Sequence, residues 1–164
     1  MGKVTAPEPL TAQHDRTSFD CGVLSLNDWL QKQALKNAAS GASQTFVVCE
    51  NQEVIGYYAL ATGSVARQEA PGSVRRSMPD PIPVIVLGRL AVDLKWQRSG
   101  IGPGLLKDAV IRAVSVAQQV GVRALLVHAL DEKAKGFYTH HGFIESPMDS
   151  MTLMLSLSHG VGPR

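Results

Sequence analysis

The first regular alternation of apolar and polar positions along the chain is helical. Leu26, Trp29, Leu30 and Ala34 share one helix face, and Gln31, Lys32 and Lys36 lie off that stripe. Ser25 stands where it can cap this helix, with Asp28 three residues on. Ser40-Gly41-Ala42-Ser43 ends it. Two β-type runs follow, Thr45-Phe46-Val47-Val48-Cys49 and Val54-Ile55-Gly56-Tyr57-Tyr58-Ala59-Leu60, joined by Asn51-Gln52-Glu53, which predicts a hairpin. From Ala66 to Pro83 the pattern dissolves. Pro71, Pro79, Pro81 and Pro83 argue against helix or central strand there, and a loop of this length inside a compact domain is usually functional or mobile.

Val84-Ile85-Val86-Leu87 leads through Gly88-Arg89 into Leu90-Ala91-Val92, a nearly unbroken apolar run suited to a strand buried on both faces. Beyond Gly100-Ile101-Gly102-Pro103-Gly104, a helical repeat of Leu105, Leu106, Ala109, Val110, Ala113, Ala117 and Val120 runs to Gly121. Ala124-Leu125-Leu126-Val127-His128-Ala129 reads as a second buried strand. Asp131 can cap a short helix carrying Ala134, Phe137 and Tyr138 and ended by Gly142, and Met151-Thr152-Leu153-Met154-Leu155 closes the chain as a strand. The order predicts an α/β protein with a mixed sheet.

Length and composition narrow the classes. A chain of 164 residues suits one domain over residues 1–164, and 45% hydrophobic with 18% charged residues is an ordinary globular balance. A net charge of +2 does not by itself argue for nucleic acid. Cys21 and Cys49, without a CxxC, are expected to be small buried or part-buried thiols. His140 and His141 are adjacent and His14, His128 and His159 isolated, so no metal site is expected. His128, on a buried strand, is expected to be a satisfied core histidine. The first residues lack the apolar core of a signal peptide, and no run of about 18 apolar residues occurs, so the expected compartment is the cytoplasm, with no membrane contact.

The stretch richest in chemistry is Leu90-Ala91-Val92 followed by Gln97-Arg98-Ser99-Gly100-Ile101-Gly102 and a helix. A glycine-rich turn between a buried strand and a helix start presents unpaired main-chain N–H groups at the positive end of the helix dipole, which suits a pyrophosphate. Glycines alone leave a turn without a ligand equally open. A P-loop is ruled out because no Gly-Lys-Ser/Thr follows, and a Rossmann turn fits poorly because this one comes late and lacks the third glycine.

Gln97-x-x-Gly100-x-Gly102 straight after a Leu-Ala-Val strand resembles the acetyl-CoA pyrophosphate loop of the GNAT acetyltransferases, and Phe137-Tyr138 with Gly142-Phe143 resembles that superfamily's C-terminal signature. Phe19-Asp20-Cys21-Gly22, Leu26-Asn27-Asp28-Trp29-Leu30, Leu87-Gly88-Arg89-Leu90-Ala91-Val92-Asp93 and Val127-His128-Ala129-Leu130 extend the likeness over nearly the whole chain. They are similar to the TacT-like GNAT toxins of bacterial type II toxin–antitoxin systems. That resemblance implies a GNAT fold, with a mixed, mostly antiparallel central sheet flanked by helices. It also implies acetyl transfer from acetyl-CoA to the amino group of the amino acid on charged tRNA, a ribbon-helix-helix antitoxin, and a homodimer. Main-chain groups of Leu90, Ala91 and Val92 would hold the acetyl carbonyl and pantetheine arm, and Gln97, Arg98, Ser99, Gly100, Ile101, Gly102 and Gly104 the phosphates. The sequence departs at Pro103, whose missing N–H removes one potential phosphate donor.

The resemblance puts the catalytic tyrosine at Tyr138, where a phenol of ordinary pKa about 10 is a plausible acid to protonate the departing thiolate of pKa about 8.5. Its bland reading is a tyrosine closing a helix against the core. No carboxylate stands out as a general base. The α-amino group of an ester has a sizeable neutral fraction near neutral pH, whereas a lysine near 10.4 needs a base. Lys32, Lys36, Arg75, Arg76, Lys133 and Lys135 can track phosphates or simply face solvent, and Arg89, within an apolar strand, needs a partner or serves the substrate. Alternative readings are a GNAT enzyme acting on a protein N-terminus or small amine, and a non-catalytic acyl-CoA-binding module.

Overall fold

The computed structural model describes residues 3–157; His159 lies outside them. The described residues contain seven strands: β1 (Glu8–Pro9), β2 (Gln44–Glu50), β3 (Glu53–Val65), β4 (Ile82–Val92), β5 (Ala124–His128), β6 (Ile144–Ser146) and β7 (Asp149–Ser156). The α-helices are α1 (Leu24–Lys32), α2 (Ala34–Ser40), α3 (Gly72–Arg75), α4 (Ile101–Ala117) and α5 (Glu132–His140). The strands form one sheet in the order β1-β2-β3-β4-β5-β7-β6. β1–β2, β2–β3, β5–β7 and β6–β7 pair antiparallel, whereas β4–β5 is parallel. The expected mixed, mostly antiparallel sheet flanked by helices is present.

The chain divides into two compact units, and β3 and β4 each run through both. The first comprises residues up to Ala61 together with Gly88–Ala109. Its core gathers Phe19, Trp29, Leu30, Ala34, Val47, Val54, Tyr57 and Ala91. Each large apolar side chain so buried contributes about 1.5–3 kcal/mol. The rings of Trp29 and Tyr57 stack at 6.0 Å, and Phe19 meets Tyr57 edge-on at 5.5 Å. The Tyr57 hydroxyl, buried with its ring, donates to the Leu26 carbonyl at 2.7 Å, so β3 holds α1 both by packing and by a hydrogen bond.

Two expectations for this unit are corrected. Ser25 does not cap α1: the helix starts one residue before it, after Val23, which provides no side-chain cap. Instead Asn27, in the first turn, reaches back. Its Oδ1 accepts from the Cys21 N–H at 2.9 Å, and its Nδ2 donates to Asp20 at 3.0 Å. Nor do Lys32 and Lys36 share a helix, because the chain breaks at Gln33 and Ala34 begins α2, which ends at Gly41 in the left-handed conformation.

In the second unit, Thr62–Leu87 and the chain from Val110 onward, Val65, Ala70, Val74, Ile82, Val84, Ala124, Leu126 and Met154 form the core. The proline-rich segment is more ordered than its composition suggests. It contains a 3-10 turn over Arg67–Glu69 and the one-turn α3, and β4 already starts at Ile82, taking in Pro83. Arg123 explains the order: its guanidinium donates to the carbonyls of Val74 at 3.1 Å and Arg76 at 3.1 Å.

α4 also differs from its predicted bounds, running from Ile101 to Ala117 rather than from beyond Gly104 to Val120. Gly102, Pro103 and Gly104 are poor helix formers in an interior but tolerable in a first turn, where intrahelical donors are not yet required. β3 makes room for this turn at Gly56. A Cβ there would lie 3.1 Å from both Ile101 Cγ2 and Leu105 Cδ1, so a larger residue would have to push these side chains aside.

Candidate active site

The glycine-rich loop is built from the end of β4. Asp93, the next residue, is buried, and its carboxylate accepts from the main-chain N–H groups of Lys95 at 3.0 Å and Asp20 at 3.1 Å. It thereby caps the 3-10 turn Leu94–Trp96 and ties it to the segment preceding α1. The Gln97 amide donates to the Val92 carbonyl at 2.9 Å and to the Cys21 carbonyl at 3.1 Å. Ser99 donates its hydroxyl to the Trp96 carbonyl. Arg98 and Gly100 take positive φ, +67° and +91°, which turns the chain sharply into α4.

The first helical bond runs from the Gly104 N–H to the Gly100 carbonyl at 3.1 Å. The N–H groups of Gly100, Ile101 and Gly102 therefore precede the hydrogen-bonded part of the helix, and Pro103 contributes none. Gln97, Arg98, Ser99 and Gly100 are exposed. A Cβ at Gly100 or Gly104 would meet nothing within 4 Å, and at Gly102 only Val92 Cγ2 at 3.9 Å. Exposed amides, room for close approach and the positive end of a 17-residue helix fit a diphosphate. Of the strand residues preceding them, Ala91 is buried and Leu90 and Val92 half-buried, so their main chain rather than their side chains is the part suited to a ligand.

Tyr138 lies in the other unit, on α5. Asp131 caps that helix as expected, accepting from the Ala134 N–H at 2.8 Å. The Tyr138 ring is buried at 8% exposure, edge-on to Phe137 at 5.2 Å and to Phe143 at 5.4 Å. Its carbonyl accepts from the Phe143 N–H at 3.1 Å across the turn at Gly142, which explains the shared Phe-Tyr and Gly-Phe pattern: the second pair walls in the first. Burial pushes the phenol up to about 12, so it stays protonated at neutral pH.

The basic residues differ in their surroundings. Arg89 resolves its need for a partner without an acid, its guanidinium lying 4.3 Å over the Trp29 ring. Lys32 pairs with Asp28 at 3.7 Å with its side chain largely exposed, and Lys36 and Arg76 are exposed. Arg75 is half-buried and donates to the Ala70 carbonyl at 3.4 Å, and Lys135 is paired to Glu145 at 2.9 Å.

Asp93 escaped the sequence reading, which placed Gln97 at the phosphates and His128 in the core. Asp93 and the Gln97 side chain hold the loop, and an aspartate two residues before an N–H at a strand end was the available signal. His128 is not a core residue. It is exposed, and its Nδ1 lies 2.9 Å from the Thr152 hydroxyl. Among the described residues no cluster of three or more potential metal ligands occurs, and no helix is long and apolar enough to cross a membrane.

A strand–glycine loop–helix turn suited to a diphosphate is the feature expected of an acyl-CoA-dependent transferase. The family profile described as acetyltransferase (GNAT) domain matches residues 41–145, and the chain belongs to that family. More particularly, it is 52% identical over 155 residues to a tRNA-acetylating toxin of Mycobacterium tuberculosis (strain ATCC 25618 / H37Rv), covering 94% of this chain and 93% of the relative. Among solved structures, AtaT complexed with acetyl-methionyl-tRNAfMet matches with a TM-score of 0.88 at 32% identity, covering 96% of each chain. A mutant AtaT toxin bound to the C-terminus of the antitoxin AtaR and acetyl-CoA matches with a TM-score of 0.81 at 30% identity, covering 96% of this chain and 95% of that one.

Proposed function

We propose that the whole chain is one acetyltransferase domain that moves the acetyl group of acetyl-CoA onto the amino group of aminoacyl-tRNA and so stops translation as the toxin of a toxin–antitoxin pair. The observation that carries this reading is the 52% identity, over nearly the full length of both chains, to a tRNA-acetylating toxin. An antitoxin of ribbon-helix-helix type, a homodimer and a cytoplasmic location belong to the same reading.

Acetyl-CoA supplies an activated thioester and a thiol leaving group. The N–H groups of Gly100, Ile101 and Gly102 would bind its phosphates, and the main chain of Leu90 to Val92 its acetyl carbonyl and pantetheine arm. A donor fixed where negative charge develops on the carbonyl oxygen lowers the barrier to attack. Tyr138 stays neutral and hydrogen-bonds the departing sulfur. Its pKa of about 12 against about 8.5 for an ordinary thiol makes complete proton transfer unfavourable by about 5 kcal/mol, so donation rather than ionisation is its role.

Lys32, Lys36, Arg76 and Arg89 are the groups suited to phosphates of the acceptor end, with Arg75 shaping the loop that carries Arg76. The test is incubation of the protein and labelled acetyl-CoA with total charged tRNA, beside uncharged tRNA, peptides and polyamines. Label entering only charged tRNA supports the reading. Label confined to peptides or polyamines overturns it in favour of another amine acceptor.

A further inference from the structure

Side chains along β4 alternate between two faces, which puts Arg89 on the same face as Ala91. Ala91 is part of the core of the first unit, with Phe19, Trp29 and Tyr57. Arg89 therefore stands where an aliphatic side chain would complete the packing. It is half-buried, with its guanidinium carbon 4.3 Å from the centre of the Trp29 ring. The ring meets the charge, but the guanidinium has no hydrogen bond and no ion pair to any described residue. Its planar fork of N–H donors is unused.

The acids that flank its packing partners are engaged elsewhere. Asp28 pairs with Lys32 at 3.7 Å, and Asp20 accepts from the Gly22 N–H at 2.9 Å and the Asn27 amide at 3.0 Å. Asp93 accepts the main-chain N–H groups of Lys95 and Asp20. A core-facing arginine without an acid costs stability, which is more than packing requires. The surface beneath it is also braced. Trp29 stacks on Tyr57 at 6.0 Å with 11° between the rings, and the Tyr57 hydroxyl holds the Leu26 carbonyl at 2.7 Å. A guanidinium resting on so fixed a ring has less freedom to lose when it binds.

We propose that Arg89 is a specificity-determining residue whose fork grips one phosphodiester in the unpaired 3′ end of charged tRNA, with Trp29 as the positioning residue that aims it. The inference deepens the aminoacyl-tRNA reading and rests on it. The two non-bridging oxygens of a phosphodiester match two parallel guanidinium N–H groups. Arg89 immediately precedes Leu90, in the stretch assigned above to the acetyl carbonyl, so the phosphate it takes lies near the ester rather than along the paired stem. Lys32, on the same helix as Trp29 and largely exposed, adds a second cation on this side.

Binding of charged tRNA to the CoA-loaded protein across salt concentrations tests it, alongside single-turnover acetylation and thermal denaturation. Arg89→Met, apolar and of similar length, is expected to weaken tRNA binding about tenfold and to flatten the log–log salt slope by about 0.7, as loss of one single-strand phosphate contact does. The rate at saturating tRNA should change less than about threefold, and thermal stability should be no lower because an uncompensated charge has gone. Arg89→Lys should keep the slope yet weaken binding about fivefold, since an ammonium lacks the fork. Trp29→Phe, which retains an aromatic face, should bind within about twofold of wild type, and Trp29→Leu about fivefold more weakly. Unchanged affinity and slope in Arg89→Met overturn the phosphate role and leave the substrate reading standing. Wild-type protein that acetylates no charged tRNA overturns both. Wild-type tRNA binding by Arg89→Met together with lost binding of polyglutamate overturns the proposal in favour of an acidic protein segment. Should Arg89→Met not fold, wild-type affinity in Arg89→Lys overturns it by itself.

Discussion

The side-chain amide of Gln97 donates to the carbonyl of Val92 at 2.9 Å, and the same nitrogen donates to Cys21 at 3.1 Å. One residue of the loop thus fixes both the strand that precedes it and the segment that enters α1. Gln97→Ala removes both bonds, each contributing about 1 kcal/mol. Weakened CoA binding of about tenfold in calorimetry is expected. Gln97→Glu should weaken it further, because a carboxylate would face two carbonyl oxygens.

Gly56 sets how closely α4 approaches β3. Gly56→Val drives methyl groups into Ile101 and Leu105, already 3.1 Å from a bare Cβ. A loss of about 1–3 kcal/mol in urea denaturation is expected, with weaker CoA binding as the helix start shifts.

Tyr138→Phe keeps the packing against Phe137 and Phe143 and removes the donor. Acetyl transfer should fall about 100-fold or more, while CoA affinity and thermal stability change little. A variant as fast as wild type would remove Tyr138 from the chemistry.

The arginines of the proline-rich loop should separate in salt titrations. Arg76→Ala, which removes an exposed charge, should flatten the salt dependence of tRNA binding by about 0.7 in log–log slope. Arg75→Ala should cost thermal stability as well, because its side chain also holds the Ala70 carbonyl.

Burial pushes the Cys49 thiol from 9.0 up to about 11. The unfolded chain ionises at the lower value, so this contribution to stability is complete below pH 9.0 and is lost as pH rises to about 11. The urea midpoint should therefore fall across that interval, and Cys49→Ala should show a shallower fall.

Strand and helix order were legible because apolar periodicity is set locally: the hairpin, β5 and the α5 stripe ending in Phe137 and Tyr138 appear as read. The glycine-rich turn into α4 was legible because glycines answer to backbone conformation, with Gly100 at a φ of +91°. Errors arose where distant partners decide. The proline-rich segment is ordered by Arg123, nearly 50 residues away. The entry to α1 has no side-chain cap and is tied back to Cys21 and Asp20 by Asn27, where Ser25 was expected to cap. His128 is exposed at the end of β5, where Thr152 reaches it only through the β5–β7 register. Arg89 found an aromatic face, a partner that charge counting does not reveal.

The most direct measurement is mass spectrometry of amino acids released by mild base from charged tRNA after incubation with acetyl-CoA. Wild-type protein should yield an N-acetylated amino acid, and Tyr138→Phe should yield almost none. Release of only free amino acids by the wild type, or equal acetylation by the two proteins, would contradict the account.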